Sequence, residues 1–438
     1  MDVSVLGLGY VGTVCAGCLA GRGHRVVGCD IEAAKVEAIN SGASPIQEPG
    51  LPELIRAGHQ AGMLSATTAA AEAVRDSTIS LVCVGTPSRP DGDIDLSYVR
   101  RVCEQIGEAV AAKGQPHTVV IRSTVRPNSL EEVVIPVLSR AAGAENESLL
   151  RVCVNPEFLR EGTAVADFEN PPMIVIGDRG DGGGDAAAEL YHGLEAPLCR
   201  VGLKEAMMVK YACNLYHALK IIFGNEVGAL CQADGIDSHQ VMDVFCKDHD
   251  LNISARYLKP GYAYGGSCLP KDLRAMLQFG RQHNVETPVL AAVGTSNQRH
   301  IERCVEAVVA TGFRKLGVLG LSFKDDTDDL RESPTVEIVE RLIGKGLEVA
   351  IHDKDITLNE IVGQNLSFVQ QHLPHIAALM RPTVAETVGQ AEVILLTKPS
   401  RMYADVGRLV KPDQVLIDLV RFLDPGTFSG CRYVGLVG

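Results

Sequence analysis

One short stretch of the sequence brings a thiol, a cation and a carboxylate together behind two glycines. It reads GGSCLPKD, from Gly265 to Asp272. Lys271 and Asp272 give the Cys268 thiol an electrostatic setting that favours its thiolate, the form of cysteine that attacks carbonyl carbons. An isolated cysteine more often packs as a small buried side chain. The assignment of Cys268 as a nucleophile therefore depends on the other motifs of the chain.

A second candidate group follows a strand-like segment in the first half of the chain. Residues 152–154 lead into NPEFLREG, in which Glu157 and Glu161 stand four residues apart. Pro156 restricts the backbone before Glu157 and holds this residue at a defined place. Glu157 lies among apolar neighbours, which favours a general base or a water-orienting acid over an acid of a solvated loop. For Glu161 both interpretations stay open.

The longest uninterrupted helical pattern runs from Lys204 to about Asp234. Polar residues recur along one face at helical spacing, with Ile221 in the same row: Lys210, Asn214, His217 and Asn225. Apolar residues cover the faces on either side, and a helix that is apolar around most of its girth is normally buried. Buried polar side chains need partners, which a polar ligand would supply. The pattern therefore predicts a buried ligand-binding stripe, with a solvated face as the alternative.

These groups need elements that position them, and the first thirty residues carry a pattern typical of dinucleotide binding. A predicted strand at Val3–Leu6 is followed by GLGYVG and a helix, and the next predicted strand ends at Asp30. The glycines of the loop are Gly7, Gly9 and Gly12. In this motif the helix N-terminus binds a pyrophosphate and the acid binds ribose hydroxyls. Since Asp30 would repel a 2′-phosphate, we expect NAD rather than NADP.

Two further apolar strands are predicted at residues 79–84 and 118–122. Small hydroxyl residues follow each of them, among them Thr86 and Thr124. Open α/β sheets bind ligands at the carboxyl ends of their strands, so both threonines are candidates for lining the cofactor. A turn or capping role is the alternative for each.

From Arg314 onward the chain repeats the order of elements of its first half. Segments 315–321, 342–353, 392–399 and 414–420 echo segments 3–8, 19–30, 80–87 and 118–125. The repeat lacks the glycine triplet, so it predicts a second doubly wound domain without a second NAD site. Lys324 and Arg331 follow its first strand and suit a diphosphate, whereas exposed loop charges are the alternative.

Composition and charge narrow the possible partners. The chain has 438 residues and a formal net charge of -13, which argues against a nucleic-acid surface. No apolar run approaches the ~20 residues that span a bilayer, and the amino terminus enters a predicted strand without room for a signal peptide. The 13 cysteines lack framework spacing, so we expect a reducing cytoplasm.

Taken in order, these motifs resemble those of the nucleotide-sugar 6-dehydrogenases, the UDP-glucose/GDP-mannose dehydrogenase family. The glycine fingerprint, the NPEFLRE segment, the helix with Lys210 and Asn214, the GGSCLPKD loop and Lys324 carry the resemblance, which covers essentially the whole chain. It implies oxidation of a hexose C6 alcohol to a carboxylate with two NAD⁺, on a nucleotide-sugar substrate and without a metal ion.

The resemblance also implies a role for each matching position. Cys268 would form a thiohemiacetal and then a thioester, Lys210 and Asn214 would stabilise the oxyanion, and Glu157 and Asp272 would handle protons and water. The implied NAD contacts are Gly7, Gly9, Tyr10, Val11, Gly12, Asp30, Lys35, Thr86, Thr124, Lys271 and Arg331. The implied substrate contacts are Leu159, Glu161, Lys210, Asn214, His217, Asn225, Arg256, Tyr257, Lys259, Tyr262, Gly265 and Lys324.

Within the family, segments 171–177, 214–218 and 247–252 resemble the members that act on GDP-mannose and feed alginate synthesis. Two places depart from that pattern. It has two adjacent aromatic residues where this chain has Arg256 and Tyr257, and an arginine where this chain has Lys259. Lysine is common there in UDP-sugar enzymes, and it cannot reproduce the bidentate grip of arginine. UDP-glucose or another nucleotide sugar is therefore the alternative substrate.

The predicted fold class is α/β, with two doubly wound, Rossmann-like domains joined by a long central helix. We expect an NAD-binding domain over residues 1–200 and a central helical region for dimerisation and catalysis over 201–300. A third region, over 301–438, is expected to bind the nucleotide part of the sugar nucleotide. The long helix has more apolar faces than one domain can cover, which predicts a homodimer or a higher homo-oligomer.

Two other classes of protein stay open at the level of the sequence. A single-step hydroxyacid dehydrogenase would use the lysine and asparagine of the helix without a covalent step, and it would lose little when Cys268 is replaced. An NAD-sensing protein without catalysis would have no need of Glu157, Lys210 and Asn214.

Overall fold

The structure is a computed structural model that describes residues 1–87, 89–90, 93–254, 261–266, 269–322, 330–356, 370–371, 374–424, 426 and 431–435. Residues 271 and 275 are described by their backbone alone. The chain divides into two compact units, Met1–Ala218 and Leu219–Gly438. None of the helices in the described ranges is long and apolar enough to cross a membrane.

The N-terminal unit is built on an eight-stranded sheet of order β3-β2-β1-β4-β5-β6-β7-β8. Its strands are β1 Asp2–Leu6, β2 Arg25–Cys29, β3 Leu64–Thr67, β4 Ile79–Val82, β5 His117–Ile121, β6 Leu150–Val154, β7 Ile174–Gly177 and β8 Leu198–Val201. All neighbours pair in parallel except β6 and β7, which are antiparallel. These are short apolar runs, as buried parallel strands require.

Helices cover both faces of this sheet. They are α1 Tyr10–Gly21, α2 Ala33–Asn40, α3 Leu51–Gln60, α4 Ala70–Arg75, α5 Ser97–Lys113, α6 Ile135–Ala142, α7 Ala164–Glu169 and α8 Gly183–Glu189. A π-helical turn spans Leu130–Val134 and a 3₁₀ turn spans Ala144–Leu149. Successive strand residues point to opposite faces, so Val3 and Val5 pack with α1 and α3 whereas Leu6 packs with α4 and α5.

The C-terminal unit has, among its described residues, a five-stranded parallel sheet of order β10-β9-β11-β12-β13. The strands are β9 Lys315–Leu319, β10 Glu348–His352, β11 Val393–Leu396, β12 Val415–Asp418 and β13 Arg432–Gly435. The helices are α10 Ser238–Phe245, α11 Leu269–Gln282, α12 Pro288–Val309, α13 Pro334–Gly344, α14 Ile376–Leu379 and α15 Val384–Gln390, with 3₁₀ turns at Arg401–Tyr403 and Val406–Arg408.

The long helix α9 runs over Leu203–Ala233, close to the predicted bounds, and passes from the N-terminal unit into the C-terminal unit. The predicted fold class of two doubly wound sheets and a long central helix is therefore confirmed. The echoed segments of the sequence form corresponding strands, because β9, β10, β11 and β12 match β1, β2, β4 and β5 in order and in parallel pairing.

The prediction of a buried polar stripe along α9 is wrong for the single chain. Lys210 is buried, but Asn214, His217 and Asn225 are exposed. Only the first two turns of α9 pack into the N-terminal core, through Leu203, Ala206 and Met207. Beyond them large apolar side chains are exposed as well, with Met208 at 54%, Leu215 at 68%, Leu219 at 50% and Ile222 at 41%.

Candidate active site

The glycine loop between β1 and α1 has the backbone that the dinucleotide motif requires. Gly7 has φ +101°, and a Cβ there would lie 2.9 Å from Val84, while a Cβ on Gly12 would lie 1.8 Å from the Gly7 carbonyl oxygen. Close packing thus excludes side chains at both positions. Gly9 has open space where its Cβ would stand. It is the N-cap of α1 and offers no capping side chain, so the first N–H groups of the helix are available to an anion.

Asp30 follows β2 and lines a cavity of about 270 Å³ beside this loop. The Leu8 N–H donates to Asp30 Oδ2 at 2.7 Å, and the Glu32 N–H donates to Oδ1 at 3.0 Å. A carboxylate accepts about four hydrogen bonds, so it can still accept from ribose hydroxyls. Lys35 Nζ lies 3.7 Å from Asp30 and 2.7 Å from Glu32 Oε1. Burial opposes the charge of Lys35, but both acids outweigh it and raise the pKa of the ammonium.

The structure also brings Thr86 and Thr124 together. Thr86 Oγ1 donates to the Thr124 carbonyl oxygen at 2.9 Å, just beyond the ends of β4 and β5. The nearby Ser123 hydroxyl donates to the Val84 carbonyl oxygen at 2.6 Å. These bonds fix the edge of the sheet where the glycine loop lies. The open loop, the acid and this edge fit a dinucleotide.

Glu157 and Lys210 form an ion pair, although 53 residues separate them in sequence. Lys210 Nζ lies 2.7 Å from Glu157 Oε1, and the side chains are 9% and 14% exposed, respectively. The ammonium also lies 5.6 Å from the centre of the Phe158 ring, at cation–π distance. The Leu159 N–H donates to Glu157 Oε2 at 2.8 Å. One side of the pair can stabilise a developing negative charge and the other can accept a proton.

Hydrogen bonds among buried residues hold the segment that carries Glu157, and the sequence analysis did not identify these residues. Arg122, at the end of β5, donates through Nη1 to Asn155 Oδ1 and to the Tyr191 hydroxyl, which itself donates to Asn155 Oδ1. Asn155 Nδ2 donates to the Val175 carbonyl oxygen at 2.9 Å. Burial raises the pKa of Tyr191 to about 12, so its hydroxyl stays a donor. Nothing local in the sequence identifies these partners, which are 20 to 69 residues apart.

In the C-terminal unit, residues 261–266 precede the predicted nucleophile in the sequence. Ser267 and Cys268 themselves lie outside the described residues. The backbone is tightly constrained here. A Cβ on Gly265 would lie 2.4 Å from the Glu332 carbonyl oxygen and 2.5 Å from Pro334 Cδ. Gly266 has φ +86°, and its N–H donates to the same carbonyl oxygen at 3.2 Å. Both glycines are therefore required by the fold at this turn.

Three helix-borne side chains hold the same segment. Asn297 of α12 accepts from the Tyr264 N–H at 3.0 Å and donates to the Tyr264 carbonyl oxygen at 2.9 Å. His300 Nε2 lies 2.8 Å from the Gly261 carbonyl oxygen. The Tyr262 hydroxyl lies 3.1 Å from Thr335 Oγ1, and burial raises the pKa of this tyrosine. Residues 261–266 are thus anchored at three positions by side chains of α12 and α13.

The remaining predicted positions divide into two sets. Tyr10 and Val11 lie in the first turn of α1, Leu159 and Glu161 lie in the segment after β6, and Asp272 lies exposed in the first turn of α11. Arg331 lies just before α13. Arg256, Tyr257, Lys259 and Lys324 lie outside the described residues, as does Cys268, and Lys271 is described by its backbone alone.

Three domain models of the UDP-glucose/GDP-mannose dehydrogenase family match consecutive parts of the chain. They are the NAD binding domain over residues 1–195, the central domain over 204–299 and the UDP binding domain over 317–425. The chain is 45% identical to a GDP-mannose 6-dehydrogenase of Pseudomonas aeruginosa, over 97% of both chains. It is 36% identical to the UDP-glucose 6-dehydrogenase AglM of Haloferax volcanii, over 82% of this chain and 84% of that one.

The fold is similar to that of a solved ternary complex of GDP-mannose dehydrogenase from Pseudomonas aeruginosa, with a TM-score of 0.95 and 44% identity over the whole of both chains. The class that fold and site define is an NAD-dependent dehydrogenase. The chain belongs to the UDP-glucose/GDP-mannose dehydrogenase family, and NAD is its cofactor.

Proposed function

We propose that this chain oxidises GDP-mannose at C6 to GDP-mannuronate, an oxidation that transfers four electrons to two NAD⁺. The observation that carries the proposal is the full-length identity of 45% to a GDP-mannose 6-dehydrogenase, against 36% over a shorter span to a UDP-glucose 6-dehydrogenase. A place in alginate synthesis follows from the same likeness.

The oxidation can proceed through a covalent intermediate on Cys268. Bound NAD⁺ provides the hydride acceptor for both oxidations. The first oxidation removes a hydride and a proton from the C6 alcohol, and the Cys268 thiolate then adds to the resulting aldehyde to give a thiohemiacetal. A second loss of hydride and proton leaves a thioester on Cys268. Water cleaves it, which releases the carboxylate and restores the thiol.

Glu157 and Lys210 provide the base and the positive charge that this route needs. We assign Lys210 and Asn214 to the oxygen that becomes negative during thiol addition and thioester cleavage. Glu157 is assigned as the base that takes a proton from the alcohol or from water, and Asp272 as a second water-orienting acid. The ion pair of Lys210 with Glu157 supports this division, because the contact at 2.7 Å holds both side chains in place.

The proposal is tested by counting NADH released per sugar. Two NADH per GDP-mannose are expected, with little turnover of UDP-glucose at the same concentration. Cys268→Ser should bind NADH and GDP-mannose but should form the acid product far more slowly than the wild type, because an alcohol is a far weaker nucleophile than a thiolate at neutral pH. One NADH per sugar, or an active Ser variant, would contradict the covalent route, and a preference for UDP-glucose would contradict the substrate.

The proposal extends to organisation and location. We assign residues 1–200 to NAD binding, 201–300 to dimerisation and catalysis and 301–438 to the nucleotide part of the substrate. The exposed apolar side chains of α9 support an assembly of at least two copies through this helix. Ile222→Glu should then dissociate the assembly and lower activity, which light scattering and the NADH assay check together. A reducing cytoplasm is proposed from the spacing of the cysteines.

A further inference from the structure

A carboxylate outside the assigned site connects the cofactor loop to the segment that carries the acids. Glu48 lies in the loop before α3 and is 4% exposed. The Ala164 N–H donates to its Oε1 at 2.8 Å, and the Gly162 N–H donates to its Oε2 at 2.9 Å. The Tyr10 hydroxyl also donates to Oε2. A carboxylate buried to this extent thus has a partner on both oxygens.

The two ends of this connection belong to different parts of the proposed site. Tyr10 is the first residue of α1 and directly follows Gly9 of the glycine loop. Gly162 directly follows Glu161, and Ala164 is the first residue of α7. The Gly162 N–H lies 3.1 Å from the Tyr10 hydroxyl oxygen as well. The three groups form one closed cluster between chain segments 114 to 152 residues apart.

Helix α7 depends on this distant carboxylate for its first turn. Its N-cap Thr163 makes no side-chain capping bond, so the first N–H groups would otherwise lack a protein acceptor. Burial alone would raise the pKa of Glu48, but the bonds from Tyr10, Gly162 and Ala164 outweigh it and lower the pKa. Burial and the Glu48 bond raise the pKa of Tyr10 to about 12. The acceptor therefore stays ionised and the donor stays protonated at neutral pH.

We propose that Glu48 is a positioning residue of the reaction, which fixes the segment carrying Glu157 and Glu161 against the cofactor loop. This inference rests on the proposed function, since the roles of the two acids are assigned there. The glycine loop keeps its own bonds, from the Gly7 N–H to the Cys29 carbonyl oxygen and from the Leu8 N–H to Asp30. Loss of Glu48 should therefore displace the acids while it leaves NAD binding largely intact.

The test compares Glu48→Gln and Glu48→Ala with the wild-type chain. Glutamine keeps one acceptor but sets an NH₂ group against a backbone donor, and alanine removes both oxygens. We expect hydrogen–deuterium exchange to rise in the peptide that spans residues 162–167, more for alanine than for glutamine. In Glu48→Gln, kcat should fall about tenfold, as expected for one lost charged hydrogen bond, while the KM for NAD changes less than about twofold.

Glu53→Gln is the matched control, because Glu53 is an exposed acid in the first turn of α3. It should match the wild type in exchange and in both constants. Unchanged exchange at residues 162–167, or a uniform rise across the N-terminal unit with KM and kcat moving together, would overturn the proposal. Exchange is measured without turnover, so it still decides the role of Glu48 if GDP-mannose proves to be the wrong substrate. If Glu48→Ala does not fold, Glu48→Gln decides alone.

Discussion

At the carboxyl end of the N-terminal sheet, Asp30 lines a cavity of about 270 Å³. At the matching place of the C-terminal sheet, Asp353 contacts the ammonium of Lys398 at 2.8 Å. The backbone around the two acids is nearly the same. The Leu8 N–H donates to Asp30 Oδ2 at 2.7 Å, and the Leu321 N–H donates to Asp353 Oδ2 at 2.7 Å. Asp30 thus lines a cavity with Lys35 at 3.7 Å, whereas Asp353 is in direct contact with a buried ammonium.

The match extends to the glycine that precedes each loop. Gly7 has φ +101° and Gly320 has φ +98°. A Cβ on Gly7 would meet Val84 at 2.9 Å, and a Cβ on Gly320 would meet Lys398 Cγ at 2.7 Å. Lys398 therefore stands in the C-terminal sheet where Val84 stands in the N-terminal one.

Besides the missing glycine triplet, Lys398 limits what Asp353 can bind. Lys398 is 1% exposed and also contacts Asp355 at 2.8 Å and Ser322 Oγ at 2.9 Å. Its ammonium thus contacts two carboxylates and a hydroxyl at this end of the sheet. A doubly wound sheet with an acid at this place is therefore not in itself a dinucleotide site.

Replacing Lys398 is expected to have the largest effect. Lys398→Met leaves the fully buried Asp353 carboxylate without its ammonium and should destabilise the C-terminal unit by about 3–5 kcal/mol. Urea unfolding followed by fluorescence gives the free energy of unfolding. Lys345→Met, at an exposed lysine of the same unit, should change it by less than about 0.5 kcal/mol. Equal losses in the two variants would show that the buried pair is not the reason for the difference.

The converse exchange places the lysine in the N-terminal sheet. Val84→Lys should put an ammonium beside Asp30 and into the cavity, so NADH affinity should fall about 100-fold, or ~2.7 kcal/mol. Titration of NADH fluorescence measures it. Val84→Met adds similar bulk without the charge and should weaken binding far less. If both variants bind NADH equally well, an ammonium at this position does not prevent NAD binding, and the charge of Lys398 does not explain why we expect no NAD site at Asp353.

Removing each acid in turn should separate their roles. Asp30→Ala should raise the KM for NAD about tenfold and weaken the discrimination against NADP, because it removes ribose hydrogen bonds and the repulsion of a 2′-phosphate. Asp353→Ala should leave the KM for NAD unchanged and lower the free energy of unfolding instead. Steady-state kinetics and urea unfolding on both variants check this. A change in the KM for NAD in Asp353→Ala would contradict the assignment of a single NAD site.

The comparison also shows where sequence reasoning succeeds. Strands β1 and β2, the glycine loop and Asp30 were predictable because apolar runs, glycine spacing and a terminal acid are local patterns. The second sheet was predictable for the same reason, as an echo of the first. Lys398 was passed over, although it lies in an echoed segment, because its burial depends on Asp353, 45 residues away.

The failures have the same physical origin. The polar stripe of α9 was expected to be buried because its neighbours are apolar, yet Asn214 and His217 are exposed in the single chain. Helical periodicity gives the face on which a residue lies but not what covers that face. Arg122 and Glu48 were missed because their partners are distant in sequence, and a lone charged residue in a string carries no sign of burial.

The last expected effect concerns two buried histidines, one in each sheet. His117 lies 2.7 Å from Ser80 Oγ, and burial, with the charge of Lys113, lowers its pKa to about 3. An unfolded histidine titrates near 6.5, so the unfolded chain binds the extra proton first. The stability that His117 contributes is present above pH 6.5 and is lost as the pH falls toward 3, by up to ~1.4 kcal/mol per pH unit.

Burial also lowers the pKa of His352. The charge of the adjacent Asp353 opposes that shift, and the charge of Lys398 adds to it. His117→Asn should therefore flatten the dependence of the free energy of unfolding on pH between 6.5 and 4 more than His352→Asn does. Urea unfolding at half-unit steps of pH measures both slopes, with His249→Asn, at an exposed histidine, expected to keep the wild-type slope. A flatter slope for the His352 variant than for the His117 variant would mean that Asp353 does not oppose the lowering of the His352 pKa. The difference between the two sheets would then be limited to the surroundings of Asp30 and Asp353.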